Sequence, residues 1–294
     1  MSAAVLALAG ACAFALGTVL QQKGTLEAPA DENDPRFLVQ VLSRPAWLAG
    51  GALQVVGWVL QAMALDRGSF IVVQSLTTLS LVISLPFGAW LTAQEITSRV
   101  WLGAAAMVVG IVLFLSIGQP QSGTASPSAS DWWSAGLSSA VVIVLLTVAA
   151  RRRRGAQRAL YFGAAAGVCF AYQAAVTKVF VPLVGEGARA IVTSWTIYVL
   201  VVSALIGFAV QQSALKTGVL APATASSNAV TLFVSAVLGS TVFGEDLSNG
   251  AERLAPALIG LAVAAAGMVL LAGAKPPSEP APRRRGEPAT PPVR

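Results

Sequence analysis

Residues 57–95 read GWVLQAMALDRGSFIVVQSLTTLSLVISLPFGAWLTAQE, and residues 207–245 read GFAVQQSALKTGVLAPATASSNAVTLFVSAVLGSTVFGE. At a constant offset of 150, Gly57 meets Gly207, Gln61 meets Gln211, Ala64-Leu65 meets Ala214-Leu215, Gly68 meets Gly218 and Glu95 meets Glu245. Beyond the glutamates the second copy gains seven residues, after which Gly103 and Gly110 meet Gly260 and Gly267 at an offset of 157. Towards the N-terminus, Phe14-Ala15 meets Phe170-Ala171 at an offset of 156. A shared register over so long a stretch is the mark of an internal duplication.

The duplicated unit is a set of membrane crossings. Nine windows hold no Asp, Glu, Lys or Arg: 1–22, 45–65, 68–94, 100–130, 132–150, 159–177, 190–215, 217–244 and 254–274. The shortest has 19 residues, against the roughly 20 that a helix needs to cross the hydrocarbon core. Composition agrees: 55% of residues are hydrophobic and 11% charged, with a mean hydropathy of +0.72. A soluble domain carries about twice that charge fraction, so a soluble enzyme is excluded. With no histidine and no visible nucleophile–base pair, we expect no enzymatic activity. The net charge of +6 is spread over too few residues to coat a nucleic-acid groove. Met1–Leu20 is apolar but lacks a basic leader and an Ala-x-Ala exit, so it reads as the first span. Cys12 and Cys169 fall mid-helix in different spans and read as small packing residues.

The fold expected is an all-α membrane protein of about nine transmembrane helices. Spans 1–4 and 6–9 form two repeats that begin five spans apart. Five is odd, so the second copy enters the membrane from the opposite face, an inverted-topology repeat of the kind many secondary transporters use. Basic residues orient the bundle. Fifteen lie in alternate loops and the C-terminal tail, among them Arg151–Arg154, and four in the remaining set, Arg67, Lys178, Arg189 and Arg253. The N-terminus is therefore expected outside and the C-terminus in the cytoplasm. Residues 1–118 form the first repeat, 119–131 a Ser/Gly/Pro-rich connector, and 132–158 a linking span with an Arg-rich loop. Residues 159–274 form the second repeat, and 275–294 a disordered Pro/Arg-rich tail. The expected location is the cell membrane, as a multi-pass protein.

The stretch from Gly57 to Leu115 resembles the drug/metabolite transporter superfamily (EamA-like). It has a short break after one span, a polar-then-proline span, a glutamate at that span's end and a closing G-x6-G span. The opening FALGTVLQQKG, residues 14–24, is similar to the first span of the NIPA-type magnesium transporters within that superfamily. The resemblance runs to about residue 274 and implies solute transport. Members commonly have ten spans and this chain nine, as NIPA-type proteins are also thought to have.

Polar residues within spans are costly and mark candidate sites. In the eighth span Thr224, Ser227, Asn228, Thr231 and Ser235 share one helical face. The repeat places Gln74, Thr77 and Thr78 opposite Thr224, Ser227 and Asn228, with Pro86 and Pro222 in the same spans to free backbone carbonyls. Gln61, with Gln54 on the same face, Gln211, and Gln173 beside Tyr172 complete the expected substrate cavity. Against this, hydroxyls in spans commonly bond their own helix or a neighbour. Glu95 and Glu245 stand at span exits, where a helix C-terminus repels a carboxylate; we expect gating or helix-end roles, with Arg99 or Arg253 as partners. Lys23 and Lys178 are expected to snorkel to the interface, and the acidic residues of 27–34 to form a solvated loop. The glycines at Gly103/Gly110, Gly260/Gly267 and Gly163/Gly167 suit close helix packing.

No window holds a mid-span acid or base, so no proton-relay carboxylate is expected, and dehydrated Mg²⁺ would lack a carboxylate ligand. The function expected is secondary transport of a small polar metabolite or hydrated cation by alternating access. Alternatives are a NIPA-like magnesium transporter and a membrane scaffold that has lost transport. The partners expected are the lipid bilayer and a small solute or ion, with no nucleic acid, no cofactor and no resident metal; a homodimer is left open.

Overall fold

The structure, a computed structural model, describes residues 1–26, 43–92, 97–124, 127–215, 220–246 and 251–272. Among these residues there are eleven helices and no strand: α1 (Ala3–Leu26), α2 (Pro45–Arg67), α3 (Phe70–Thr78), α4 (Ser80–Thr92), α5 (Ser98–Gly118), α6 (Ala129–Arg151), α7 (Gly155–Glu186), α8 (Ala188–Thr193), α9 (Trp195–Leu215), α10 (Leu220–Thr241) and α11 (Ala251–Ala272). Nine stretches of them are long and apolar enough to cross a membrane, with α3 and α4 together making one and α8 none. The protein is thus a helical, multi-pass membrane protein.

Local chemistry sets several of the ends. Pro45 opens α2 at a position where its missing N–H costs nothing. Ser128 and Asp131 close a reciprocal capping box on α6. Gly187, at φ +97°, breaks α7 from α8 in a left-handed conformation that glycine adopts without penalty. The span formed by α3 and α4 is interrupted at Leu79, whose N–H bonds back to Leu76 O and Thr77 O. Pro86, expected to free a backbone carbonyl, lies inside α4, which continues through it.

Packing follows the glycines. Helix α5 lies along α11, with Gly103 against Gly267 and Gly110 against Gly260. One index rises as the other falls, so the two helices are antiparallel. A Cβ on Gly110 would lie 2.3 Å from Ala264 N, and one on Gly260 2.6 Å from Phe114 N; the approach is backbone to backbone and has no room for a methyl group. Helices α1 and α2 form a similar antiparallel pair, with Gly17 against Gly50 and Gly10 against Gly57. Helix α7 lies between α9 and α10, and Gly163 and Gly167 receive the α10 backbone at Ala223 and Ser227. Water supplies no drive for helix association inside a bilayer, so this dense small-residue contact does the holding.

Two contacts recur. Gly57 of α2 accepts the ring of Phe14 of α1, and Gly207 of α9 accepts the ring of Phe170 of α7. The outer surface is apolar along the length of the helices, for example at Val108, Val109, Val112, Val141, Val144 and Leu145. Exposed Trp133, Trp195 and Tyr198 stand where α6 and α9 begin, and exposed Trp90 and Trp101 at the opposite end of the bundle. Aromatic side chains at both rims of an apolar belt are what a bilayer selects.

Candidate functional site

Among the described residues, a buried ion pair lies at the end of the bundle that carries the N-terminus. Helix α2 stops at Arg67, Gly68 is extended, and Ser69 caps α3 by accepting the N–H of Val72. Helix α10 ends beside it at Thr241. The chain then turns through Gly244, at φ +60°, so that Glu245 N–H bonds back to Gly239 O. The turn buries Phe243 against Phe70, ring centroids 5.3 Å apart, and brings the Glu245 side chain inward to 1% exposure. Gly239 makes room: a Cβ there would lie 2.3 Å from Ile71 Cγ1 and 3.3 Å from Glu245 Oε2.

Four donors meet the Glu245 carboxylate. Oε1 accepts the Phe70 N–H at 2.5 Å and Lys178 Nζ at 2.8 Å. Oε2 accepts Ser69 Oγ at 2.7 Å and the Ile71 N–H at 2.9 Å. The carboxylate therefore caps α3 from another part of the chain, where free N–H groups and the helix dipole favour negative charge. Lys178 Nζ also donates to Gly68 O at 3.1 Å and lies 4.8 Å over the Phe243 ring. Its side chain is 13% exposed while that of Glu245 is 0% exposed. Trp132 packs edge-on against Phe243, and the connector joins the turn through Thr124 N–H to Phe243 O and Gln121 N–H to Asp246 O.

Three expectations change here. Lys178 does not snorkel; it is drawn into the bundle by a buried carboxylate. Glu245 takes Lys178 as its partner, not Arg253, because the turn after α10 points it at α3. An acid is present in the protein interior after all, since the charge-free window that ends at residue 244 folds its next residue back inside. Glu95 lies outside the described residues. Lys178 carried a signal: it falls inside the 32-residue α7, eight residues short of its end, and a lysine so placed calls for a counter-charge.

A second polar group lies about one helical turn deeper than Glu245, between α2, α3 and α10. Gln61 Nε2 of α2 donates to Gln74 Oε1 of α3, and Gln74 Nε2 donates to Ser235 Oγ of α10 at 3.3 Å. Gln74 and Ser235 are buried, at 3% and 0% exposure. The chain joins two of the expected residues with one from the α10 face. The remaining residues turn elsewhere. Thr77 and Thr78 donate to Val73 O and Gln74 O of their own helix, and Asn228 Nδ2 to Thr224 O. Thr231 Oγ1 donates to Gly167 O of α7, and Ser227 is buried where α10 crosses that glycine. Gln173 O accepts the Thr177 hydroxyl, and Gln54 Nε2 donates to Thr18 Oγ1. Among the described residues Gln211 Oε1 is buried with no hydrogen-bond partner. Of the two expected faces, Gln74 and Ser235 bond to each other between α3 and α10, while the hydroxyls of Thr77, Thr78 and Thr231 hold backbone.

A crevice of about 440 Å³ opens elsewhere, between Leu146 and Arg153 on one side and Gln157, Tyr161 and Ser226 on the other; none of the ten expected binding residues lines it. Among the described residues no three His, Cys, Asp or Glu side chains gather as metal ligands.

Against known proteins, the chain is 29% identical over 247 residues to an uncharacterized protein of Corynebacterium glutamicum, covering 83% of this chain and 85% of that one. No protein-family model matches the chain, and no solved structure gives a significant match.

Proposed function

We propose that the protein is a secondary transporter of a small polar metabolite or a hydrated cation, built from two inverted repeats that alternate access to a largely uncharged central site. The observation that carries this reading is the phenylalanine-on-glycine contact made twice, Phe14 on Gly57 and Phe170 on Gly207, by residues that the internal sequence repeat pairs. Two copies that pack alike and run in opposite senses can exchange conformations, which exposes a midplane site to each side in turn. The antiparallel α5–α11 crossing, in which each glycine of one copy meets the mate of the other glycine (Gly103 on Gly267, Gly110 on Gly260), supplies the pivot. Gln61, Gln74 and Ser235 offer amide and hydroxyl groups to a polar solute on the path between halves, and here those groups are bonded to one another, as in a closed state.

In this reading the N-terminus is outside, the C-terminus is cytoplasmic, the host is the cell membrane, and the chain is a drug/metabolite transporter of the EamA-like kind. A stripped Mg²⁺ would find no carboxylate cluster among the described residues, so a magnesium cargo would keep most of its water.

The test is flux. Purified protein in liposomes is offered a panel of polar metabolites and Mg²⁺ under imposed gradients. At least one solute is expected to cross, and Gln74→Ala to abolish its flux while the thermal unfolding profile stays cooperative. Failure of every solute under every gradient would favour a non-transporting scaffold on the same fold.

A further inference from the structure

We propose that the crevice between α6, α7 and α10 binds one anionic phospholipid, with the phosphate at Arg153 and the upper part of one acyl chain against Leu146, Leu160 and Ala164. The site stands apart from the proposed solute path, and nothing in its chemistry requires transport.

The crevice is graded along the helices. Arg153 lies in the turn between α6 and α7, and Gln157 in the first turn of α7. Ala164 lies seven residues after Gln157, about 10 Å further in along the helix. The polar headgroup layer is about 5–8 Å thick on each side of a bilayer, so the crevice begins among headgroups and ends among hydrocarbon. Its polar end offers a guanidinium, the Gln157 amide and the Tyr161 hydroxyl, all able to donate to phosphate oxygens. Ser226 spends its hydroxyl on Ala223 O at 3.1 Å. The deep end is walled by aliphatic side chains. A soluble anion would use the first end and leave the second unfilled, whereas an amphiphile uses both. The volume of about 440 Å³ falls among small-molecule pockets and suits a phosphate with the first carbons of one chain. The rest of the lipid would lie on the outer surface, which is apolar beside the crevice at Val144, Leu145 and Leu160.

Charge selects the headgroup. Arg151, Arg152, Arg153, Arg154 and Arg158 are all exposed at this end of the bundle. The acidic residues among the described ones are Asp66, Asp131, Glu186, Glu245, Asp246 and Glu252, and all six lie at the opposite end, where α2 and α7 finish and α6 and α11 begin. The remaining seven of the 13 acidic residues lie outside the described residues. The salt bridge found among the described residues, Lys178 with Glu245, is also at that far end, so no described carboxylate neutralises Arg153. The positive end of the α7 dipole adds to the same potential. Basic pockets between spans suit anionic headgroups, while a zwitterionic lipid would bring its own ammonium against the guanidinium. Arg158 is turned away, its Cζ lying 5.5 Å from the centroid of the Phe162 ring.

The experiment is native mass spectrometry of the full chain released from detergent micelles. The protein is titrated with dioleoylphosphatidylglycerol, dioleoylphosphatidylcholine, glycerophosphoglycerol and inorganic phosphate, and the affinity of the first bound molecule is read for each. The first phosphatidylglycerol is expected to bind at least about tenfold more tightly than the first phosphatidylcholine. Arg153→Gln is expected to erase that preference. Arg152→Gln removes the same charge one residue away, outside the crevice, and is expected to weaken it by less than about threefold. Equal affinity for the two lipids in the wild type overturns the proposal, and that comparison needs no variant to fold. Equal losses in the two arginine variants overturn it too, because they would mean a diffuse basic surface in place of a site. Phosphate and glycerophosphoglycerol, which carry the anion without the chains, are expected not to displace the lipid. Displacement by either at matched concentration would make this a soluble-anion site and remove the lipid from it. No flux enters the measurement, so this site and the transport reading fail separately.

Discussion

In the first half of the molecule Gly57 accepts the ring of Phe14 and Gln61 donates to Gln74; in the second, Gly207 accepts the ring of Phe170 while Gln211 keeps a buried Oε1 with no partner among the described residues. The apolar contacts match and the polar ones match only in part. Thr78 and Asn228, paired by the repeat, both bond the carbonyl four residues back, yet Gln74 reaches across to Ser235. Dense packing is a property of each copy, so it is made twice. Polar partners belong to the interface between copies, which two equivalent halves need not share equally in one conformation. Under the proposed alternating-access function, such an imbalance is what one of two states would carry, with Gln211 Oε1 as the acceptor left over in this one.

The sharpest asymmetry is the charged one, and breaking it should have the largest effect. Lys178→Met would leave Glu245 buried without its counter-ion. Loss of one partner of a buried pair costs about 3–5 kcal/mol, so the variant should unfold far below the wild type in a detergent thermal melt. Adding Glu245→Gln to it removes the stranded charge. The double variant should recover a large part of the loss, while strictly additive single effects would show that the pair is not coupled.

Next in size is the crossing that the halves share. Gly110→Ala would push a methyl group to within 2.3 Å of Ala264 N, a backbone atom that cannot swing away. Overpacking of this kind costs about 1–3 kcal/mol. Gly51→Ala is the matched control, because the only atom near its Cβ is Gln21 Nε2 at 3.9 Å. Equal melting shifts for the two variants would remove the crossing from the list of what holds the bundle.

These residues differ in how readable they were. The spans follow from where charge is missing, because the bilayer penalises charge regardless of what the helix packs against. The glycine crossings follow from spacing along one helix, since a stripe of small residues has one use wherever its partner lies. Gln61 and Gln74 stood out for the same local reason: an amide in a span needs a bond. The Glu245 site was not legible, because its partners come from 67 and 176 residues away and the contact depends on how the halves interlock. Its position after a span suggested an exit to solvent, and only the Gly244 turn reverses that. The α3–α4 interruption shows the same limit. Proline marks a lost N–H, yet the helix breaks at Leu79, seven residues before Pro86.

The smallest prediction returns to the two glutamines. Gln61→Leu would strip Gln74 Oε1 of its donor and leave a buried acceptor unpaired. In water-soluble cores that costs about 1–3 kcal/mol, but interhelical hydrogen bonds in membranes average about 0.6 kcal/mol, so a shift of about 0.5–1.5 kcal/mol is expected. Gln211→Leu removes an oxygen that has no partner to lose, and its melting temperature should be unchanged or slightly higher. If both glutamines serve the same site in alternate states, the two variants should lose flux alike while differing in stability. Equal stability losses would mean that Gln211 is bonded in the resting protein and that the polar asymmetry between the halves is not real. Lost flux in Gln61→Leu alone would confine the solute path to the first half.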